Sequence, residues 1–253
     1  MRHPPVIPTA ATGAAAPLVA VGHGSRDPRA AATVDRLLEA VRLRRPGLPV
    51  VGSYLEHAAP TPAWALGRLA DEGVQEAVVL PLLLTAAYHS KIDIPGVLAG
   101  VRARHPRPRL RTAATLGPHP RMLAALERRL TEAGVVIGDP DTAVVLVSAG
   151  SSDPAANETI DRMASGWRAH GWWSVVAAYA SAARPTPAEA VRALREAGAP
   201  RVTVASYFLA PGHFADKVRA ESLDAGAAAV SPVLGAAPEL ADIVLQRYDA
   251  ALC

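Results

Sequence analysis

Three side chains in the first half of this sequence have the types and settings that metal and proton chemistry need. His23 directly follows the apolar run 18–21, lies between Gly22 and Gly24, and is followed by Ser25 and Arg26. His89 falls in the loop after a second apolar run, 78–84. Glu56 closes a third, 48–55. Two imidazoles and a carboxylate with coordination positions to spare suit a borderline divalent cation such as iron, cobalt, nickel or zinc. The sole cysteine is Cys253, so no thiolate cage can form, and an ion held without thiolates is free to leave for another molecule. A neutral imidazole or a carboxylate also accepts protons near pH 7. The plainer alternatives are a turn histidine bonded to backbone at 23 and a solvated acid at 56.

These residues need elements that bring them to one place. Apolar runs of strand length at 17–21, 48–55, 77–84 and 110–115 alternate with helical stretches at 29–44, 61–72, 94–104 and 120–133. Their continuous apolar character is that of buried parallel strands. The order predicts a doubly wound α/β unit, in which His23, Glu56 and His89 all lie at the carboxyl ends of strands, where open α/β sheets bind ligands. Asp27 and Pro28 read as the N-cap and first residue of a helix.

The second half repeats the pattern, with strands expected at 142–148, 174–179, 201–209 and 227–233 and helices at 155–170, 187–197, 214–225 and 238–250. Gly22-His23-Gly24-Ser25-Arg26-Asp27-Pro28 is answered by Ala149-Gly150-Ser151-Ser152-Asp153-Pro154, Pro60-Thr61-Pro62 by Pro185-Thr186-Pro187, and His89 by His213, at offsets of 126, 125 and 124 residues. A duplication explains this spacing. The predicted organisation is a tail at 1–16, a first repeat at 17–137 and a second at 138–253, with the linker inside 132–141. In the second repeat Ala149 stands for His23 and Ser181 for Glu56, so one metal site, in the first repeat, is expected. His213 either helps with metal or substrate or is a remnant.

Composition narrows the classes. Half of the 253 residues are hydrophobic and 19% are charged, which supports packed cores. A net charge of +3 without a long basic tract does not point to nucleic acid. No apolar run approaches the roughly 18 residues of a membrane span. One cysteine predicts a reducing, cytoplasmic setting. A histidine phosphatase would need arginine before His23, where Gly22 stands, and no Gly-x-Ser-x-Gly elbow of a serine hydrolase occurs.

The stretch 18–28 with its Gly-His-Gly-Ser-Arg, the segment Tyr54-Leu55-Glu56 with Pro60-Thr61-Pro62, and the segment from Pro81 through His89 to Asp93-Ile94-Pro95 together resemble the class II tetrapyrrole chelatases, the SirB and CbiX family, in its two-repeat form. The resemblance implies two flavodoxin-like parallel-sheet domains facing across a cleft. It implies ATP-independent insertion of ferrous iron or cobalt, with nickel a further candidate, into sirohydrochlorin in siroheme or cobalamin biosynthesis: a lyase with the metal as substrate and no organic cofactor. It carries the metal ligands onto His23 and His89 and a catalytic carboxylate onto Glu56. Ser25, Arg26, Lys91 and His213, with Lys217, are the expected contacts to substrate carboxylates. A monomer is expected, since duplication replaces the homodimer of single-repeat relatives. The alternative is a metal or tetrapyrrole carrier of the same fold that does not turn over.

Overall fold

The computed structural model describes residues 15–85 and 92–253, so His89 and Lys91 lie outside the described residues. The chain forms β1 (Leu18–Gly22), α1 (Pro28–Arg44), β2 (Val50–Tyr54), α2 (Pro62–Asp71), β3 (Glu76–Pro81), α3 (Ile94–Arg104), β4 (Arg109–Thr112) and α4 (Arg121–Glu132). It continues with β5 (Thr142–Ser148), α5 (Pro154–Trp167), a 3₁₀ turn at Arg168–His170, β6 (Ser174–Tyr179), α6 (Pro187–Glu196), β7 (Arg201–Ser206), α7 (His213–Asp224), β8 (Ala229–Val230) and α8 (Pro238–Leu252). Two separate four-stranded parallel sheets result, in the orders β2-β1-β3-β4 and β6-β5-β7-β8. Both orders place the first strand of a repeat centrally and reverse direction there, which makes a switch point beside its carboxyl end.

The central strands are apolar because both faces are covered. Every residue of β1 and of β5 is buried. In the first sheet, one face packs Val19, Val21 and Val79 against Leu66 and Leu69 of α2 and Leu98 and Val101 of α3. In the second, Val145, Val147 and Val204 meet Val191 and Leu194 of α6 and Val218 of α7. Helix starts follow local chemistry. Asp27 and Asp153 accept the backbone N–H of Arg29 and Ala155, and Thr61 and Thr186 those of Trp64 and Glu189, each with proline at the first helical position.

Several strands are shorter than their apolar runs. β2 begins only after Pro49, which has no N–H to donate. β8 is two residues long, against an expected 227–233. Beyond it the Ser231 hydroxyl oxygen accepts the Ser206 N–H at 3.0 Å and the Ser206 hydroxyl donates to Ser231 O at 2.9 Å, so side chains replace the ladder.

The described residues group into two compact units. The first contains 15–83, 92–116 and 241–253; the second contains 84–85 and 117–240. In the first unit, α8 lies beside α1: Asp249 takes a bidentate ion pair from Arg45, Asp242 accepts from Arg44 Nε at 3.1 Å, and the buried Tyr248 donates to Ala16 O at 2.7 Å. In the second, α4 lies beside α5: Glu127 accepts from the indole N–H of Trp167 at 3.0 Å and faces His170 Nδ1 at 3.0 Å, while Arg128 pairs with Glu239 at 2.7 Å. The last helix of each sequence repeat thus groups with the unit built on the sheet of the other.

Candidate functional site

His23 is placed by a ladder that outruns its strands. Past the end of β1 and β2, Leu55 N–H donates to Gly22 O at 3.0 Å and Glu56 N–H to His23 O at 2.9 Å. His23 and Glu56 therefore stand side by side at the carboxyl edge of the first sheet, both exposed. Gly24 makes this possible. It adopts φ +97°, and a Cβ there would lie 1.7 Å from Glu56 O. No other residue permits that approach.

The His23 ring is oriented by its own loop, with Nδ1 3.1 Å from Gly24 O. A carbonyl only accepts, so this bond exists with the proton on Nδ1, the tautomer whose Nε2 is the ligating nitrogen. The Glu56 carboxylate has Oε2 3.4 Å from Nε2 of the adjacent His57. His57 sits in the left-handed region at φ 59°. His57 adds an imidazole that the sequence marks only by its place directly after Glu56.

Ser25 serves the local turn: its hydroxyl oxygen accepts the Asp27 N–H at 3.1 Å, just before α1. Its hydroxyl proton is still available to a ligand. Arg26 is exposed and has no ion-pair partner among the described residues. Leu84, just past β3, is tied within the second unit. Burial pushes the Tyr207 hydroxyl well above the usual phenol range, and this hydroxyl donates to Leu84 O at 3.1 Å. Among the described residues no group of three His, Cys, Asp or Glu side chains is close enough to hold an ion.

The corresponding loop of the second unit has the same backbone and different side chains. Ser181 N–H donates to Ala149 O at 2.9 Å, and Gly150, at φ +81°, would place a Cβ 1.9 Å from Ser181 O. Ala182 has φ 59°, as His57 has. Ser151 accepts from Asp153 N–H at 3.0 Å, as Ser25 does from Asp27. His23, Glu56 and His57 become Ala149, Ser181 and Ala182, so this loop carries no metal-binding side chain at the three positions. His213 begins α7, exposed at the carboxyl side of β7, with its ring 5.7 Å from that of Phe214. Lys217, one turn on, lies 3.8 Å from Glu221.

Comparison with known proteins agrees with this architecture. The CbiX family model matches residues 17–133 and again 143–251. A sirohydrochlorin cobaltochelatase of Priestia megaterium is 30% identical over 200 residues, which are 76% of this chain and 63% of that protein. A sirohydrochlorin ferrochelatase of Bacillus subtilis (strain 168) is 32% identical over 146 residues, 57% of this chain and 55% of that protein. The matches thus span less than two thirds of those relatives. Among solved structures, SirB from Bacillus subtilis with Fe3+ superposes with a TM-score of 0.79 at 24% identity, covering 92% of this chain and 94% of that one. CbiX, described as the terminal enzyme of siroheme biosynthesis in denitrifying bacteria, superposes at 0.70 and 22% identity, covering 94% and 100%.

Proposed function

Since the chain belongs to the CbiX family, we propose that it inserts a divalent metal ion, ferrous iron or cobalt, into sirohydrochlorin without ATP, as a lyase of siroheme or cobalamin biosynthesis. The observation that carries this is the edge of the first sheet, where the Glu56 N–H bonds the His23 carbonyl and sets the two residues side by side. Insertion joins one M2+ to the four ring nitrogens and releases two pyrrole protons. His23, with His89, is assigned to the metal. Glu56 takes a proton as the metal enters, a role that suits a carboxylate left accessible next to the metal-bearing imidazole. Ser25, Arg26, Lys91 and His213 are assigned to the substrate, Arg by paired hydrogen bonds to a carboxylate and Lys as a point charge. The metal is substrate, and no organic cofactor is required. The duplication favours a monomer, bounded in sequence as 17–137 and 138–253. Among the described residues no helix is long and apolar enough to cross a membrane, and we assign the chain to the cytoplasm.

The test is the change in the tetrapyrrole absorption spectrum when Co2+ or Fe2+ is added with catalytic amounts of protein. Many product molecules per protein molecule are expected. Product that stops at one equivalent, or tetrapyrrole bound without metal entry, would establish the carrier instead.

A further inference from the structure

The loops that follow β2 and β6 form an internal comparison. They share a backbone: the same bond from the residue after the strand to the opposite loop, the same glycine pressed against it, and the same φ of 59° at His57 and Ala182. Alanine holds the left-handed conformation at 182, so an imidazole is not needed to shape the loop at 57. Something other than backbone geometry must account for it. Two ligand-type side chains, Glu56 and His57, are present together in the first loop and replaced together, by Ser181 and Ala182, in the second.

The geometry of the pair is that of a chelate. Glu56 Oε2 and His57 Nε2 lie 3.4 Å apart. Two donors each about 2.1 Å from one ion stand about 3.4 Å apart at a tetrahedral angle and about 3.0 Å apart at a right angle. Both side chains are open to solvent, 39% for His57 and 53% for Glu56. The Glu56 N–H is bonded to the His23 carbonyl, so the pair is one residue removed from the imidazole assigned to the metal.

We propose that Glu56 and His57 form a capture site for the hydrated divalent cation, which binds there before it reaches His23. This deepens the chelatase reading and rests on it. An imidazole and a carboxylate replace two of the ion's waters, and two weak, exposed ligands hold it loosely enough to pass on. His57 in this role touches the substrate metal before reaction and not the tetrapyrrole.

The test titrates Co2+ into the full-length, chelator-treated protein without tetrapyrrole, following the visible absorption of the ion, and then measures insertion kinetics with metal and tetrapyrrole varied separately. His57→Ala is compatible with the backbone, as Ala182 demonstrates. His57→Asn keeps a residue that favours the left-handed region but removes the imidazole. Both variants should weaken Co2+ binding by roughly 10-fold. Both should raise KM for metal by a similar factor, with kcat and KM for tetrapyrrole within about twofold of wild type. Wild-type Co2+ affinity in His57→Ala, restoration by Asn, or a loss confined to tetrapyrrole affinity would overturn the capture site while leaving the chelatase reading intact. Binding of Co2+ that depends on His57 in a protein that never inserts it would do the reverse.

Discussion

At the residue scale, the site is a matter of which side chains are presented on a loop that the fold makes twice. His23→Ala removes the imidazole assigned to the metal and leaves β1 untouched, because the side chain is exposed. Insertion should fall roughly 100-fold or more with an unchanged melting temperature; wild-type turnover in this variant would move the metal elsewhere. Gly24→Ala and Gly150→Ala form a matched pair. Each forces a Cβ to within 2 Å of a carbonyl at positive φ, 1.7 Å from Glu56 O and 1.9 Å from Ser181 O. Each should cost about 1–3 kcal/mol in denaturant unfolding. If the metal is handled only in the first unit, Gly24→Ala should also lose insertion activity and Gly150→Ala should retain it. Equal losses of activity would contradict that asymmetry. His23 and Glu56 were legible as candidates from position alone, since each ends an apolar run. Their adjacency was not, because it depends on the pairing of β1 with β2.

At the element scale, caps and strand ends decide where each element begins and stops. The start of α6 is a capping box: Glu189 N–H donates to the Thr186 hydroxyl at 3.3 Å, and Thr186 N–H donates to the Glu189 carboxylate at 2.8 Å. That N–H, with the Arg184 guanidinium, holds the Glu189 carboxyl down to about 2. Thr186→Ala should destabilise the second unit by about 1 kcal/mol, seen as a lower denaturant midpoint with insertion kinetics unchanged. A midpoint equal to wild type would mean that tertiary contacts, not the cap, fix this helix. Helix starts were visible in the sequence as Asp27-Pro28, Asp153-Pro154, Thr61-Pro62 and Thr186-Pro187. Strand ends were less so. The end of β8 depends on hydrogen bonds between Ser206 and Ser231, which are 25 residues apart.

At the scale of the whole molecule, each unit is completed by a helix from the other sequence repeat. Helix α8 brings the buried Ile243, Val244 and Tyr248 to the first unit. At about 1.5–3 kcal/mol for each large apolar side chain, their loss approaches the whole stability of a domain, about 5–15 kcal/mol. Deleting 241–253 should therefore unfold the first unit selectively. Hydrogen exchange should show amides of β1–β3 unprotected and those of β5–β7 still protected; full protection of β1–β3 would refute the dependence. The anchoring ion pair also has a pH signature. The Arg45 guanidinium beside Asp249 holds that carboxyl below its ordinary value of 3.8. A depressed carboxyl stabilises the fold above its unfolded value and loses that contribution as pH falls through the folded one. The effect is therefore confined below about pH 4, and it stays under about 1 kcal/mol because Asp249 is half exposed. Asp249→Asn should flatten the acid limb of thermal stability and leave the melting temperature near pH 7 within a few degrees. An unchanged acid limb would show that this pair carries no pH dependence.

The sequence by itself determined the α/β alternation, the duplication, the starts of the helices and the strand-end loops that bear His23, Glu56 and His213. These are local properties: apolar runs of strand length, proline after a capping residue, and motifs repeated at one offset. Only the tertiary structure decided that the chain makes two sheets in the orders β2-β1-β3-β4 and β6-β5-β7-β8. It alone decided that α4 and α8 exchange units, that Gly24 is pressed against Glu56, and that Glu56 and His57 face each other at chelating distance. Each of these is a contact between residues placed by separate elements or by an unusual backbone angle. An amphipathic helix states that it must cover a sheet and not which one, so its partner is chosen by the packing of the whole chain.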